Sequence, residues 1–539
     1  MRIIGYYISG EVVASSDGEI CTEPPFLDFL LQPKENSIKV FAHMGYNIAN
    51  LLKLIKLTET EARKLQTENK LYINPYYLKH IAGKFFSIKK RDQHNYLFAN
   101  FSDMSQYKPV KLEGNETTED CLAKAKEAKE TGEEVYNALV ALGLHPTSFT
   151  SPIKVYEKEI LSKMNLPTID DIPEEAGYYS YQCCRGNWLE AFQVGHWEQA
   201  YNYDINSAYS AELMQLLDIR FGKWVKSSQW VTEAKYGYCK GIVTITAPFS
   251  PIIFTSSEKG DSLNYTPVGS WETFLTKQEI EFIYKWKLGM FELEDGWWWI
   301  SEDKQEKPLR NIIEQLYWEK EQNNGIRKEI VKRIMAGIWG KFLQVQRDGF
   351  GDRFNPIYGA EVEVGCRLKV AEFILGNKIQ PIHIAVDGII SPEPVLLSNS
   401  SSSKIGEWEL VSIAPCICAG TTVAAIKEKE DKEKGKTADF SLGYNWLLEQ
   451  VKRNPEAKEY SVKKLSPVTL AVALNGNWDK LGQLHEITKT VNIGSDMKRC
   501  YREIPRCGKD LLSKCYKSEP WDISLLSNLI KEKQSNVEK

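Results

Sequence analysis

The alternation of apolar and polar positions changes character several times along the chain, and each change marks an element. Ile3 to Ile8 and Glu11 to Ala14 read as a strand hairpin, and Ile38 to Ala42 as a further strand. An apolar helix starts in Asn50 to Leu57, and Lys84 to Lys89 returns to an extended pattern. Leu122, Ala125, Val135, Leu139 and Leu142 recur at helical spacing, which predicts one long amphipathic helix from Glu119 to Leu144, ended by His145-Pro146. Thr147 to Ile172 reads as a connector in which Pro152 and Pro167, with Pro173 after it, break helices. Residues 1–150 are therefore an α/β layer.

Beyond the connector, Tyr201, Tyr203 and Ile205 alternate with Asn202 and Asp204 as a strand. Ser207 is a good N-cap for the helical Ala208, Ala211 and Glu212 that follow. An Asp at a strand end beside a helix N-terminus suits a metal carrying phosphates, though strand-end carboxylates are also common without one. Tyr238 to Ile253 is strand-rich, and Thr276 to Lys287 helical. Trp297-Trp298-Trp299 fits a half-buried strand better than a base-stacking platform. Leu316 to Lys320 and Lys332 to Phe342 are helical on either side of the turn signal Glu321 to Gly325, a helical hairpin offering Lys320 and Lys332 to a triphosphate. Ile382 to Ile390 is an apolar hairpin with Asp387 at its turn. An isolated Asp-Gly is usually only a turn, but here it is the second lone acid in an apolar setting, able to share a pair of Mg²⁺ ions with Asp204.

With 539 residues, 42% of them hydrophobic, the chain has core for two to four domains. A formal net charge of −4 gives no support to a polyanion binder. Local charge differs: Val451 to Lys517 holds 14 Lys/Arg against 7 Asp/Glu, which fits a phosphate track or a solvated face. The 11 cysteines include no Cys-x-x-Cys pair and no zinc-like spacing, so reduced thiols in a cytosolic compartment are expected. No signal peptide and no apolar run of membrane length stands in the sequence, which points to a cytoplasmic protein.

The stretches Tyr203-Asp-Ile-Asn-Ser-Ala-Tyr209, Lys332 to Phe342 and Ile382 to Ile390 resemble, in order and spacing, motifs A, B and C of family B DNA polymerases. The likeness is to the small protein-primed phage, viral and linear-plasmid branch, and covers nearly the whole chain. It implies an α+β multidomain fold: a right-hand polymerase of palm, fingers and thumb, with an N-terminal vestigial RNase H-like 3′–5′ exonuclease domain. The implied divisions are exonuclease-like domain 1–150, connector 151–176, palm with motif A 177–237, palm insertion 238–304, fingers with motif B 305–345, palm with motif C 346–437, and thumb with tail 438–539.

The resemblance assigns two ions, Mg²⁺ or Mn²⁺, to Asp204, Asp387 and the Ile205 carbonyl. It assigns the incoming dNTP to Tyr209, Lys320, Lys332, Ile205, Trp339 and Gly340, with Tyr209 excluding the ribose 2′-hydroxyl. Tyr181, Arg185 and Lys341 fall on template or primer contacts. Implied partners are DNA, dNTPs and a priming or accessory protein, with no membrane. Pro356-Ile-Tyr-Gly to Arg367 and Ile405 to Trp408 match palm strands flanking motif C.

Departures are equally specific. Motif B's Asn-Ser has become Ala336-Gly337 and its Tyr is Trp339; motif C's first Asp is Ala385. The Lys-x-Tyr primer grip falls on Val423 and Ala425, and the linker's Gly-Gly on Cys183-Cys184. The exonuclease's second motif falls on Phe41 to Asn47, with Met44 and Asn47 where an amide and an acid are needed. Its third falls loosely on Ala123 and Glu127, and its first strand is expected to have no counterpart. The insertion between motifs B and C is expected to be absent or reduced to a hairpin around Arg347 to Gly351. Lost proofreading beside retained polymerase acids favours an active enzyme; the alternative is an inactive polymerase-like scaffold.

Overall fold

Arg2–Ser9 (β1) is apolar almost throughout because it is buried on both faces. In the computed structural model it pairs antiparallel with Val12–Ser15 (β2), beside Ile20–Cys21 (β3), and parallel with Ser37–Phe41 (β4). The sheet continues through Lys70–Ile73 (β5), Tyr76–Ile81 (β6), Phe85–Asp92 (β7) and Asn95–Asp103 (β8), in the order β3-β2-β1-β4-β8-β7-β6-β5. Ile4, Tyr6 and Ile8 share one core with the helices Phe26–Leu31 (α1), Met44–Leu54 (α2) and Glu59–Glu68 (α3). The opposite face of β1 lies against Thr118–Ala141 (α4), so closely that a Cβ on Gly5 would stand 2.0 Å from the Ala125 carbonyl oxygen. Glycine is required there.

The structure describes residues 1–492 except 33–36, 83–84, 93–94, 150, 187, 248, 257–262, 303–305, 347–348, 398–403, 422, 428–433, 437–442, 455–456 and 458, together with 500–501 and 518–519. The latter part of the expected thumb, beyond residue 492 except 500–501 and 518–519, the tail and most of the mixed-charge loop Lys427 to Lys436 lie outside these residues. Two units emerge: residues 1–165, 318–335 and 462–489 form the first, and 166–317, 336–461 and 490–539 the second. Within the first, Val468, Leu470, Ala473 and Leu481 join the core of α2 and α3, and the Arg63 guanidinium donates to the Leu474 carbonyl at 3.0 Å. Among the described residues no helix is long and apolar enough to cross a membrane.

Three expectations for the N-terminal region change. The helix begins at Met44 rather than Asn50, because His43 Nδ1 accepts the Tyr46 N–H as its cap. The sheet does not lack its first strand: Arg2–Ser9, read above as one strand of a hairpin, lies between β2 and β4 and carries no acid. Pro152 opens the helix Pro152–Glu159 (α5) at its first turn, where a missing N–H costs nothing, instead of breaking one.

The second unit runs, in chain order, through Glu174–Cys183 (α6), Leu189–Ala191 (β9), Gly195–Ile205 (β10), Ala208–Leu213 (α7), Gly222–Lys226 (β11), Tyr236–Ile245 (β12), Phe254–Ser256 (β13), Leu263–Tyr265 (β14), Gly269–Thr276 (β15), Lys277–Lys285 (α8) and Gly289–Ser301 (β16). Arg310–Gln322 (α9) and Gly325–Phe342 (α10) each pass from one unit into the other. There follow Val345–Gln346 (β17), Gly349–Phe350 (β18), Pro356–Gly376 (α11), His383–Ala385 (β19), Gly388–Ser391 (β20), Trp408–Gly420 (β21), Val423–Ile426 (β22) and Lys434–Lys436 (β23). One sheet has the order β23-β22-β21-β10-β20-β19-β9, with β10 in its middle; another has the order β11-β16-β12-β15.

Trp298 and Trp299 on β16 are fully buried, their indole N–H groups donating to the Ser227 and Ile219 carbonyls, so the strand reading holds, with burial on both faces here instead of one. β17 and β18 pair as the expected reduced hairpin. The match of Pro356 to Arg367 with a palm strand is corrected, since these residues open the 21-residue helix α11. Asn355 caps it by accepting the Tyr358 N–H, and Pro356 sits at its first turn.

Candidate active site

β10 ends in Tyr203-Asp204-Ile205 and is held on both sides, with Asp204 opposite Gly388 of β20 and Glu409 of β21. The Ile205 N–H donates to the Asp387 carbonyl at 3.1 Å. Two acids far apart in sequence are thus brought together, Asp204 on β10 and Asp387 in the turn just before Gly388, the register partner of Asp204. Gly388 permits this, because a Cβ there would stand 2.9 Å from Asp204 Oδ1. Val386 and Asp387 alone connect β19 to β20, and Val386 has φ +63°, a conformation that β-branched residues avoid. Its N–H is held by the Trp188 carbonyl at 2.8 Å. Backbone strain of this kind persists where the surroundings over-determine it, often at working sites.

Ser207 is corrected in one respect. It lies at the N-cap but with φ +53° and no capping hydrogen bond; its hydroxyl donates to Asn206 Oδ1 at 3.1 Å. The loop after Asp204 is fixed instead through Asn206. Its N–H donates to the Glu407 carbonyl at 2.9 Å, its carbonyl accepts the Gly406 N–H at 2.7 Å, and its side-chain amide donates to the Tyr317 hydroxyl at 2.8 Å.

Tyr209 on α7 packs against Trp339 on α10, ring centroids 4.9 Å apart. Burial pushes its phenol up, with smaller contributions from Cys366, Glu363 and Asp387, which puts the ring within electrostatic reach of the second acid. Among the described residues the buried indole N–H of Trp339 has no hydrogen-bond partner. A Cβ on the adjacent Gly340 would meet nothing within 4 Å, so packing does not require that glycine. Lys341 donates to Gln344 Oε1 at 3.0 Å. Tyr181 is exposed on α6, with its ring 5.9 Å from that of Phe354. Arg185 is turned inward, donating to Thr273 Oγ1 at 2.6 Å and to the Phe274 carbonyl at 3.3 Å. Val423 and Ala425, at the place of a primer grip, are buried in β22.

Lys320 and Lys332 belong to the first unit. Burial lowers the Lys320 ammonium, Glu321 at 3.3 Å works against this, and Lys332 and Lys328 depress it further. Lys332 and Lys328 thus lie within electrostatic reach of Lys320, with Glu321 beside it. Glu319, accepting from Asn323 and Arg327, fixes the turn between α9 and α10.

Sequence reasoning missed a buried polar network on α11. Arg367 pairs with Glu279 at 2.7 Å, both side chains almost fully enclosed. Glu279 also closes the capping box of α8 with Thr276. Glu361 accepts from the Tyr238 hydroxyl and the Gln278 amide, and burial pushes its carboxyl up to about 8. Glu363 accepts the Gly186 N–H at 3.0 Å, tying the linker after α6 to α11. The only sequence signal was the Thr276-x-x-Glu279 pattern, which marks a helix start and not its partner.

In the first unit, Asn47 takes no carboxylate role. Its amide donates to the Ile8 carbonyl at 3.0 Å, and its side-chain oxygen accepts the His43 N–H at 3.1 Å. Tyr7 and Ser9 of β1 donate to Glu116, which also accepts from Tyr46 and Lys124. Burial works to raise the Glu116 carboxyl, but the Glu113 amide, Lys124, Ser9 and Tyr7 outweigh it and hold it below the usual range. Glu127 pairs with Lys108 at 3.0 Å.

Among the described residues no group of three or more His, Cys, Asp or Glu suits a metal ion. Two carboxylates and a backbone carbonyl do suit Mg²⁺, which is commonly held by one or two carboxylates and completed by substrate phosphates and water.

No protein-family model and no curated protein matches this sequence. Solved structures do. Phi29 DNA polymerase complexed with primer-template DNA and incoming nucleotide substrates aligns at 12% identity with a TM-score of 0.65, covering 91% of this chain and 100% of that one. The same polymerase complexed with single-stranded DNA aligns at 12% identity and a TM-score of 0.63, covering 92% and 100%. This chain has the fold of phi29 DNA polymerase.

Proposed function

We propose that this chain is a DNA polymerase of family B type, adding dNTPs to a 3′-hydroxyl or a protein hydroxyl by two-metal phosphoryl transfer, without proofreading. The observation that carries the reading is the placement of Asp204 and Asp387 side by side on β10 and at the β19–β20 turn of a chain with this fold. Two divalent ions held by these carboxylates and the Ile205 carbonyl would acidify the attacking hydroxyl and stabilise the departing pyrophosphate. The protein's own part is positional. The tight β10–β20 register keeps both carboxylates in place, and Tyr209 packs under the deoxyribose. Trp339 and Gly340 border the nascent base pair, and Tyr181 and Lys341 hold the DNA strands, whereas Arg185 is committed to Thr273 and Phe274 and is withdrawn from that role. Labelled dNTPs, Mg²⁺ or Mn²⁺ and a primer-template test this: label in the primer is expected, and none with either ion favours the inactive scaffold.

Tyr209→Ala should weaken the preference for dNTPs over rNTPs by about 1–3 kcal/mol, the worth of one steric contact. Side-by-side incorporation assays measure it. If both activities fall together at an unchanged ratio, Tyr209 is a core residue and not the sugar gate.

The absence of proofreading predicts that a single-stranded oligonucleotide labelled at its 5′ end stays intact with Mg²⁺. The Glu116 carboxylate is paired with Lys124, and position 47, where the resemblance needs an acid, is an asparagine bonded to backbone. Metal-dependent shortening by wild type that Asn47→Ala abolishes would contradict this.

A further inference from the structure

The eight-stranded sheet is covered unevenly. α4 packs on the face of β1, β2 and β4 that carries Gly5 and Val40, and Val40 is in register with Ser102 of β8. Followed outward from Ser102, that same face continues over β7, β6 and β5 through Phe98–Lys89, Lys89–Tyr77 and Tyr77–Tyr72. Here it is open. Tyr72 is 64% exposed, Tyr96 and Phe98 each 58% and Tyr77 38%, whereas Leu78, Ile88, Phe86 and Phe101 on the other face are fully buried. Between the rings, at outward positions, stand Lys70, Lys79, Lys89 and Arg91; the Lys89 ammonium lies 3.7 Å from the Tyr96 ring centroid. Among the described residues of these four strands, no outward position carries a carboxylate. A sheet face needed only for packing would be apolar and covered, and one needed only for solubility would mix both signs of charge and omit the rings.

We propose that the open face of β5–β8 binds a single strand of nucleic acid, its bases stacking on Tyr72, Tyr77, Tyr96 and Phe98 and its phosphates meeting Lys70, Lys79, Lys89 and Arg91. Exposed rings interleaved with cations on a twisted sheet are how sequence-tolerant single-strand binders work, since every base offers a π-face. The charge argues for a polynucleotide over a second copy of this chain, whose identical cationic face would be repelled. The proposal stands apart from the polymerase reading and needs only the first unit's sheet.

The test is fluorescence anisotropy of labelled (dT)30 and (U)30 on the full chain, with excess unlabelled primer-template hairpin present to occupy any duplex site. Tyr77→Ala/Phe98→Ala should weaken binding by roughly ten- to a hundredfold. Lys70→Ala/Lys79→Ala/Lys89→Ala should lower the slope of log affinity against log salt by about 0.7 for each lysine. The two oligonucleotides distinguish DNA from RNA as the strand bound. Unchanged affinity in the aromatic variant together with an unchanged salt slope in the lysine variant would overturn the proposal. So would a wild-type dimer that the aromatic variant dissolves while (dT)30 affinity holds, because the face would then bind a second copy. If the aromatic variant fails to fold, the salt slope of the lysine variant alone decides.

Discussion

Asp204→Asn and Asp387→Asn should each lower nucleotide incorporation by about 10³-fold or more, ~4 kcal/mol, the scale of losing charge stabilisation at a transferring phosphoryl group. Each change is isosteric and removes one formal charge. The β10–β20 pairing and the Ile205–Asp387 hydrogen bond use backbone atoms, and an amide keeps the size of the Asp204 carboxylate beside Gly388, so the local fold should survive. Circular dichroism and thermal unfolding should match wild type while primer extension disappears. Near wild-type turnover by either folded variant would remove that residue from the chemistry.

The largest effect on stability is expected from Arg367→Met. Arg367 and Glu279 form an ion pair at 2.7 Å with side chains 2% and 1% exposed. Removing the guanidinium leaves the Glu279 carboxylate buried without its cation, which costs about 3–5 kcal/mol. The damage should spread, because Glu279 also caps α8 and Arg367 reaches the Gly186 carbonyl in the linker. Urea unfolding measures it. Arg367→Met/Glu279→Gln should recover much of the loss, since no unpaired charge then remains; equal losses in the single and double variants would mean that packing, not charge, was removed.

The strand carrying Asp204 and the Asp387 hairpin were legible in the sequence because each alternates or turns by local rules that tertiary contacts did not override. Helices α9 and α10 were legible through their turn, where Asn323 and Gly325 end one periodic run and begin the next. α11 was not. It is buried on nearly every side, so it lacks the polar stripe that marks a helix, and only the family resemblance spoke to it, as a palm strand. β1 was recognised as a strand but not as the central one, because nothing local distinguishes a central strand from an edge. The packing of Val468 to Leu481 on α2 and α3 joins parts of the chain with no shared sequence signal. In the candidate site, the residue types were readable and the strain at Val386 was not: a two-residue connection needing positive φ ordinarily selects glycine or asparagine. The network of Arg367, Glu361 and Glu363 was hidden for a similar reason, as charged residues in a sequence read as surface until partners are found for them.

The most direct test of the two-carboxylate site is dNTP-dependent Mn²⁺ binding, followed by electron paramagnetic resonance of the free ion. It needs neither primer nor template, so the choice of primer does not enter the result. With wild-type protein and dATP, the free Mn²⁺ signal should fall below that of a dATP-only control, and the deficit should approach one ion per chain, since dATP already holds the other ion in the control. Asp204→Asn and Asp387→Asn should return the signal towards the control. A wild-type titration indistinguishable from both variants would contradict the assignment of Asp204 and Asp387 as the metal-holding pair.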